Sequence, residues 1–182
     1  MTPLVVFAAA VGVLAFGYLV FRVIVRNDYL RRGRLSWQAS LLQVFAILLY
    51  MHFAYLEWGD VWPALPSMPD NRLQSVVGLA LVGVGALFAL AGMASLGWRR
   101  IMGLDSSGLY QKGLYRLSRN PQLLAFFAVA LGFAVLWPSW VVLVWVLLYF
   151  PFFHLMVMSE EEYLRMLYGE KYEAFCAEVR RY

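Results

Sequence analysis

The chain has 182 residues, of which 63% are hydrophobic and 14% charged, with a formal net charge of +4; its mean hydropathy is +0.67. Soluble domains carry about a quarter charged residues, and the apolar residues here fall in long runs, so the composition excludes a water-soluble globular fold. A nucleic-acid-binding module is excluded as well, because that needs a solvated basic domain.

The sequence predicts an all-α integral membrane protein of five transmembrane helices, about Pro3–Val25, Ser36–Glu57, Leu73–Leu96, Pro121–Trp137 and Ser139–Met158. Each is close to the roughly 20 residues that a helix needs to cross the hydrocarbon core, the fourth being short. The first run has no basic start and no small-residue cleavage site after it, so it reads as signal and anchor in one. Basic residues Arg22, Arg26, Arg31, Arg32 and Arg34 sit at or just after the end of the first run; Arg99, Arg100, Lys112, Arg116 and Arg119 lie between the third and fourth. Arg165, Lys171, Arg180 and Arg181 follow the fifth, and only Arg72 falls on the opposite side. The positive-inside rule then puts the N-terminus outside and the C-terminus in the cytoplasm. The Arg26–Arg34 cluster reads as a topology signal attracted to anionic lipid.

Between the second and third runs, a loop over residues 58–71 carries Pro63, Pro66 and Pro69 and is expected to be extended, with its tryptophans at the interface. His52 with Tyr55 one turn on reads as an interfacial or packing pair. The third run holds Gly78, Gly83, Gly85, Ala89 and Gly92, a stripe that permits close backbone approach and marks this helix as central. Trp137-Pro138-Ser139 is so short a link that the fourth and fifth runs form an antiparallel hairpin. This brings Arg119-Asn120-Pro121 beside Glu160-Glu161 across about 40 residues of sequence. After the fifth run, Leu164, Leu167, Tyr168, Tyr172, Phe175 and Val179 recur at helical spacing. They predict an amphipathic cytoplasmic helix, interrupted at Gly169, that lies on the membrane or closes over a pocket. Cys176 is the only cysteine; it allows no internal disulfide and no zinc site, and reads as a small buried hydrophobe.

Asn120 followed by Pro121 is a helix start, with Asn accepting free amides and Pro in the first turn. The positive helix end and Arg119 together suit a carboxylate or phosphate. Glu160 and Glu161 suit an ammonium or sulfonium. Two readings follow: a pocket for a zwitterionic ligand, or an Arg119–Glu pair that only marks the interface. His154, inside the fifth run and on the face of Glu161, is a functional candidate because ionisable groups at that depth are costly; the alternative is a neutral His bonded to a carbonyl or a Tyr. Pro151 before it is expected to kink the helix.

Residues 96–182 resemble the catalytic half of a family of integral membrane methyltransferases, the one that includes isoprenylcysteine carboxyl methyltransferase and the phospholipid N-methyltransferases. The resemblance rests on Gly113, Tyr115, Arg119, Asn120 and Pro121 in order, then Glu160, Glu161, Leu164, Gly169 and Tyr172 at matching offsets, and on the ending Val179-Arg-Arg-Tyr182. It divides a single membrane domain, 1–182, into an N-terminal helical pair with its outer loop, 1–71, and a cofactor-binding catalytic half, 72–182. It implies S-adenosylmethionine as cofactor, no metal, and a lipid-like or prenylated methyl acceptor met at the membrane. By the same resemblance Gly113, Tyr115, Arg119, Asn120, Pro121, Leu123, Glu160 and Glu161 are expected around the cofactor. Arg119, Glu161 and His154 are the candidate catalytic side chains. Many members have His at the place of Asn120 and Tyr at that of Leu123; Asn cannot act as a base, and Leu removes a hydroxyl. Other activities weighed are methylation of a phospholipid amine or a thiol, a membrane sterol-type reductase using NADPH, and a non-catalytic membrane scaffold. A prokaryotic inner membrane is the expected location.

Overall fold

A computed structural model describes residues 2–61, 64–97, 100 and 108–182 of the chain; Met1, Pro63 and Arg99 lie outside the described residues. The described residues are helical, without strands. Helix α1 runs Pro3–Arg32, seven residues beyond the predicted span, and includes a wider-wound π segment, Leu19–Val25, with Arg22 at its centre. Then come α2 (Trp37–His52), a short α3 (Tyr55–Trp58), α4 (Arg72–Leu96), a 3-10 turn (Gly113–Arg116), α5 (Pro121–Leu136), α6 (Trp140–Tyr168) and α7 (Glu170–Glu178).

Helices α1, α4 and α6 are each long and apolar enough to cross a membrane; α2 with α3 makes a fourth, bent by 57° at the break, and α5 is a shorter apolar helix. The second run is therefore a broken helix rather than a straight one. Trp145 Nε1 of α6 donates to the Tyr50 carbonyl at 3.1 Å. The Phe53 amide takes the same carbonyl at 3.0 Å, so the turn tightens before a normal i→i−4 bond forms. In return Tyr50 Oη donates to the Trp145 carbonyl at 3.0 Å. The Tyr50 ring stacks on Phe152 with centroids 5.0 Å apart, which fixes α2 on the middle of α6. His52 contacts the Leu48 carbonyl at 2.9 Å and lies 5.9 Å from the Tyr55 ring, a packing pair at the end of α2.

The glycine stripe of α4 does give close approach, but α4 is not the central helix. Its main partner is α5, and Leu73, Val84, Leu87 and Leu90 stay exposed. The central helix is α6, which buries residues from Val141 to Tyr163 against α1 and α5, with α2 joined to it through Tyr50. A stripe of small residues measures how closely one neighbour approaches, not how many neighbours there are. Pro151 does not end α6, which continues through it. At one end of the bundle Trp137 Nε1 donates to the Ser67 carbonyl at 2.9 Å. The other end gathers the charges, with Arg22 and Glu162 paired at 2.7 Å between α1 and α6.

Between α4 and α5 the contact is backbone on backbone. A Cβ on Gly132 would lie 2.8 Å from the Gly78 carbonyl oxygen and 2.9 Å from the Val82 amide nitrogen. At Gly83 it would meet open space. Gly132→Ala is therefore expected to destabilise the protein by about 1–3 kcal/mol, because backbone cannot step aside. Gly83→Ala is expected to be neutral or to stabilise by up to about 1 kcal/mol through helix propensity. Thermal unfolding in detergent reads both, and only Gly132→Ala is expected to lower the midpoint.

Candidate functional site

Helices α5 and α6 form the predicted hairpin. Ser139 Oγ accepts the Val142 amide at 3.1 Å and starts α6 directly after the link, and the Gln74 amide donates to the Val135 carbonyl at 2.8 Å, closing the end of α5. The charged segments therefore meet at the far end, where Arg119 Nη1 lies 3.0 Å from Glu161 Oε1. Glu161 is only 3% exposed.

A third segment completes this cluster. Arg181 holds Glu161 with two bonds, Nε to Oε1 at 2.9 Å and Nη2 to Oε2 at 2.7 Å, a planar fork on a carboxylate. That bond holds the Arg181 guanidinium above its already high pKa. Arg165 stands 3.7 Å from the same carboxylate. The tail is fixed by its backbone too: Arg119 N donates to the Arg180 carbonyl at 2.9 Å. Ser118 Oγ and Asn120 Nδ2 donate to the Arg181 carbonyl, both at 3.1 Å. Asn120 thus stands at the start of α5, but its side chain accepts no helix amide. The expected side-chain cap is absent because the tail's carbonyl draws the amide away.

Beside the cluster lies a cavity of about 410 Å³, within the size range of small-molecule sites. Its polar wall includes Tyr115, Arg119, Asn120, Glu160 and Glu161; its apolar wall includes Val44, Ile47 and Met51 of α2 with Phe126 of α5 and Met156 of α6. Tyr172 and Phe175 of α7 line it as well, so α7 covers the cavity. Among the described residues, three buried polar atoms lack a hydrogen-bond partner of ordinary geometry: Gln43 Oε1, Tyr115 Oη, which stands beside the Gln122 side chain, and Arg119 Nε. All three belong to residues of this cavity. Unpaired buried polar atoms are rare and costly, and their grouping around one cavity fits a polar ligand there. Burial, and next the nearby Glu160 carboxylate, hold the Tyr115 hydroxyl well above its usual pKa, so it stays a neutral donor. Glu160 is half-buried and has no hydrogen bond or ion pair among the described residues.

Of the residues singled out in the sequence, Tyr115, Arg119, Asn120, Leu123, Glu160 and Glu161 line the cavity. Gly113, Pro121 and His154 are not among its lining residues: Gly113 opens the 3-10 turn at φ 59°, and Pro121 occupies the first turn of α5. His154 Nδ1 meets Tyr182 Oη at 3.1 Å, the His–Tyr contact foreseen as its alternative. Leu123 supplies a wall, and its carbonyl accepts Tyr149 Oη at 2.6 Å. Sequence reasoning missed Gln43 and the part taken by Arg181. An amide in the middle of an apolar helix was the available signal for Gln43; for Arg181 only the match to a family ending was visible. Cys176 is not simply a small hydrophobe, since its Sγ lies 2.6 Å from Arg119 Nη1.

A family model for phospholipid methyltransferase matches residues 73–171. The chain belongs to this family of membrane methyltransferases. Two curated relatives, from Oryza sativa subsp. indica and subsp. japonica, are each described as a probable protein-S-isoprenylcysteine O-methyltransferase. Each is 30% identical over 146 residues, covering 77% of this chain and 76% of the relative. No solved structure matches. The family match sets the sterol-reductase alternative aside. In this methyltransferase the matched segment runs from α4 to the start of α7 and contains both charged segments of the hairpin.

Glu161 and Glu160 are neighbours with different roles. Glu161→Ala leaves the largely buried Arg119 without its counter-charge, while Arg165 and Arg181 stay partly solvated, and is expected to cost about 3 kcal/mol. Glu160→Gln removes an unpaired carboxylate and is expected to leave stability within about 0.5 kcal/mol or to raise it. Unfolding midpoints in detergent compare the two.

Proposed function

We propose that this protein transfers a methyl group from S-adenosylmethionine to a lipid-like acceptor, with the cavity beneath α7 as the donor site. The observation that carries the reading is the grouping of unpaired polar groups on one cavity whose other wall is apolar. The donor's amino-acid end is a zwitterion and its sulfur is a cation. Arg119, with an unpaired Nε and its neighbours at the start of α5, fits the carboxylate. Glu160 fits the ammonium, because Glu161 is already engaged by arginines. This moves the cationic subsite from the pair of glutamates to Glu160 alone. Tyr115 Oη and Gln43 Oε1 offer a donor and an acceptor to the polar remainder.

When bound, the donor supplies an activated methyl on a sulfonium. The chain's own part is to orient the reactants in line and to exclude water. Tyr172 and Phe175 close the cavity over the polar wall. The acceptor's hydrocarbon fits along Val44, Ile47 and Met51 of α2 and Phe126 of α5, with its nucleophile towards the donor. The names of the rice relatives specify an oxygen nucleophile, and a carboxylate oxygen needs no base. For an amine or thiol, Glu160 is the carboxylate free to take the proton; Glu161 is paired, and His154 lies outside the cavity lining. In this reading Arg119 and Glu161 act by binding and charge rather than by proton transfer. The basic end of the bundle faces the cytoplasm by the positive-inside rule, so the donor enters from that side.

Calorimetric titration of S-adenosylmethionine into the folded, detergent-solubilised protein is expected to show one site. Glu160→Gln is expected to weaken binding by about tenfold or more, from the roughly 1.5–3 kcal/mol of a charged hydrogen bond. Labelled methyl is expected to pass from the donor into a lipid of a native extract, and identification of that product names the acceptor. Folded protein that binds no donor would overturn the reading. Binding without transfer, together with unaltered function of Arg119→Ala and Glu161→Ala in cells lacking the native copy, would favour the scaffold alternative.

A further inference from the structure

Residues 169–182 have the build of a strap. At Gly169, φ is 51° and ψ −126°, and α6 ends there. An L side chain is strained at this φ, so the joint is a glycine one. The strap's apolar residues Tyr172, Phe175 and Val179 form their own small cluster with Leu109, Leu164, Tyr168 and Cys176, apart from the main core. Elements with few core contacts are those that open locally. Beside this buried apolar cluster, directional polar bonds hold the strap down. Arg181 grips Glu161, the Arg180 and Arg181 carbonyls take bonds from Ser118, Arg119 and Asn120, and Arg165 Nε pairs with Glu173 at 2.9 Å. Most of these fastenings end on Glu161 or on residues 118–120, the elements that carry the polar wall of the cavity.

We propose that residues 169–182 are the gate of the cavity at the basic end of the bundle, with Gly169 as hinge and the Arg181–Glu161 pair as latch. The proposal rests on the donor assignment above for what passes the gate, but not for the opening itself. Closed, the gate lays Tyr172 and Phe175 over the polar wall and adds the charge of Arg181 to those of Arg119 and Arg165 around Glu161. Opening withdraws Arg181 from Glu161 and Glu173 from Arg165, so the mouth loses one charge of each sign and its formal charge is unchanged. The open gate uncovers the polar wall for exchange of donor and product, and Arg181 returns with the closed state. In this arrangement Arg181 touches no reacting atom: it is a positioning residue that holds Glu161 and the strap.

The single cysteine of the chain is a reporter already in place, since Cys176 sits on the strap against Arg119. The experiment measures the rate of Cys176 alkylation by a maleimide, read by mass spectrometry on the intact full-length protein in detergent. Wild type, Arg181→Ala and Arg181→Lys are compared with and without S-adenosylmethionine. Arg181→Ala is expected to raise the rate about tenfold, as loss of a charge-assisted fork would, and Arg181→Lys to fall between. Saturating donor is expected to slow the reaction of wild type, and donor dissociation followed by rapid mixing is expected to quicken in Arg181→Ala. Equal alkylation rates in wild type and a folded Arg181→Ala would overturn the gate. If Arg181→Ala does not fold, Arg181→Lys takes its place, and a lysine variant with the wild-type rate overturns the gate equally. Wild type that binds no donor, but whose Arg181 variants alkylate faster, removes the donor assignment and keeps the gate.

Discussion

The carboxylate of Glu161 is the point on which the polar half of this molecule turns. Taking a charge out of water costs several kcal/mol, and only well-aligned partners repay it. Here the partners come from three places in the sequence: Arg119 before α5, Arg165 one turn further along α6, and Arg181 in the tail. Satisfying Glu161 therefore brings the mouth of the hairpin and the chain terminus together. It also sorts the two adjacent glutamates. The one with arginines becomes structure, and the one without, Glu160, remains available to a ligand.

The apolar half is built on different physics. Within a bilayer, lipid tails compete with side chains for apolar contact, so close fit and internal hydrogen bonds must do more of the work. The reciprocal bonds between Tyr50 and Trp145 serve this purpose and, by occupying the Tyr50 carbonyl, also end α2 early. Backbone contact between α4 and α5 serves it as well. The cavity lies where these two systems meet. Its polar wall depends on the arginine cluster, and its apolar wall depends on α2 being held against α6.

The hairpin and the meeting of its charged ends were legible because loop length and helical rise are local quantities. So was the interruption at Gly169, and so was the family, through joint spacing. Other features depended on which groups compete in space. Asn120 carries every local mark of a cap, but a carbonyl 61 residues away takes its amide. The glycines of α4 signal close approach, but only the assembled bundle shows that one partner uses it. Gln43 and Arg181 reach the site and Glu161 from segments remote in sequence from the hairpin, so the signals they carry do not say what they meet. The same holds for the division of labour between Glu160 and Glu161, which depends on the position of the tail.

The shortness of α5 has an effect on the lipid around it. Its 16 residues reach about 24 Å at 1.5 Å per residue, less than the roughly 30 Å of a hydrocarbon core. A short helix is matched by local thinning of the bilayer. The α5 mouth is also where the polar wall begins. On the reading proposed above, thinning there lowers the headgroup layer towards the cavity, so an acceptor with a polar head needs little displacement from its leaflet, and bilayer thickness becomes a determinant of how readily acceptor meets donor.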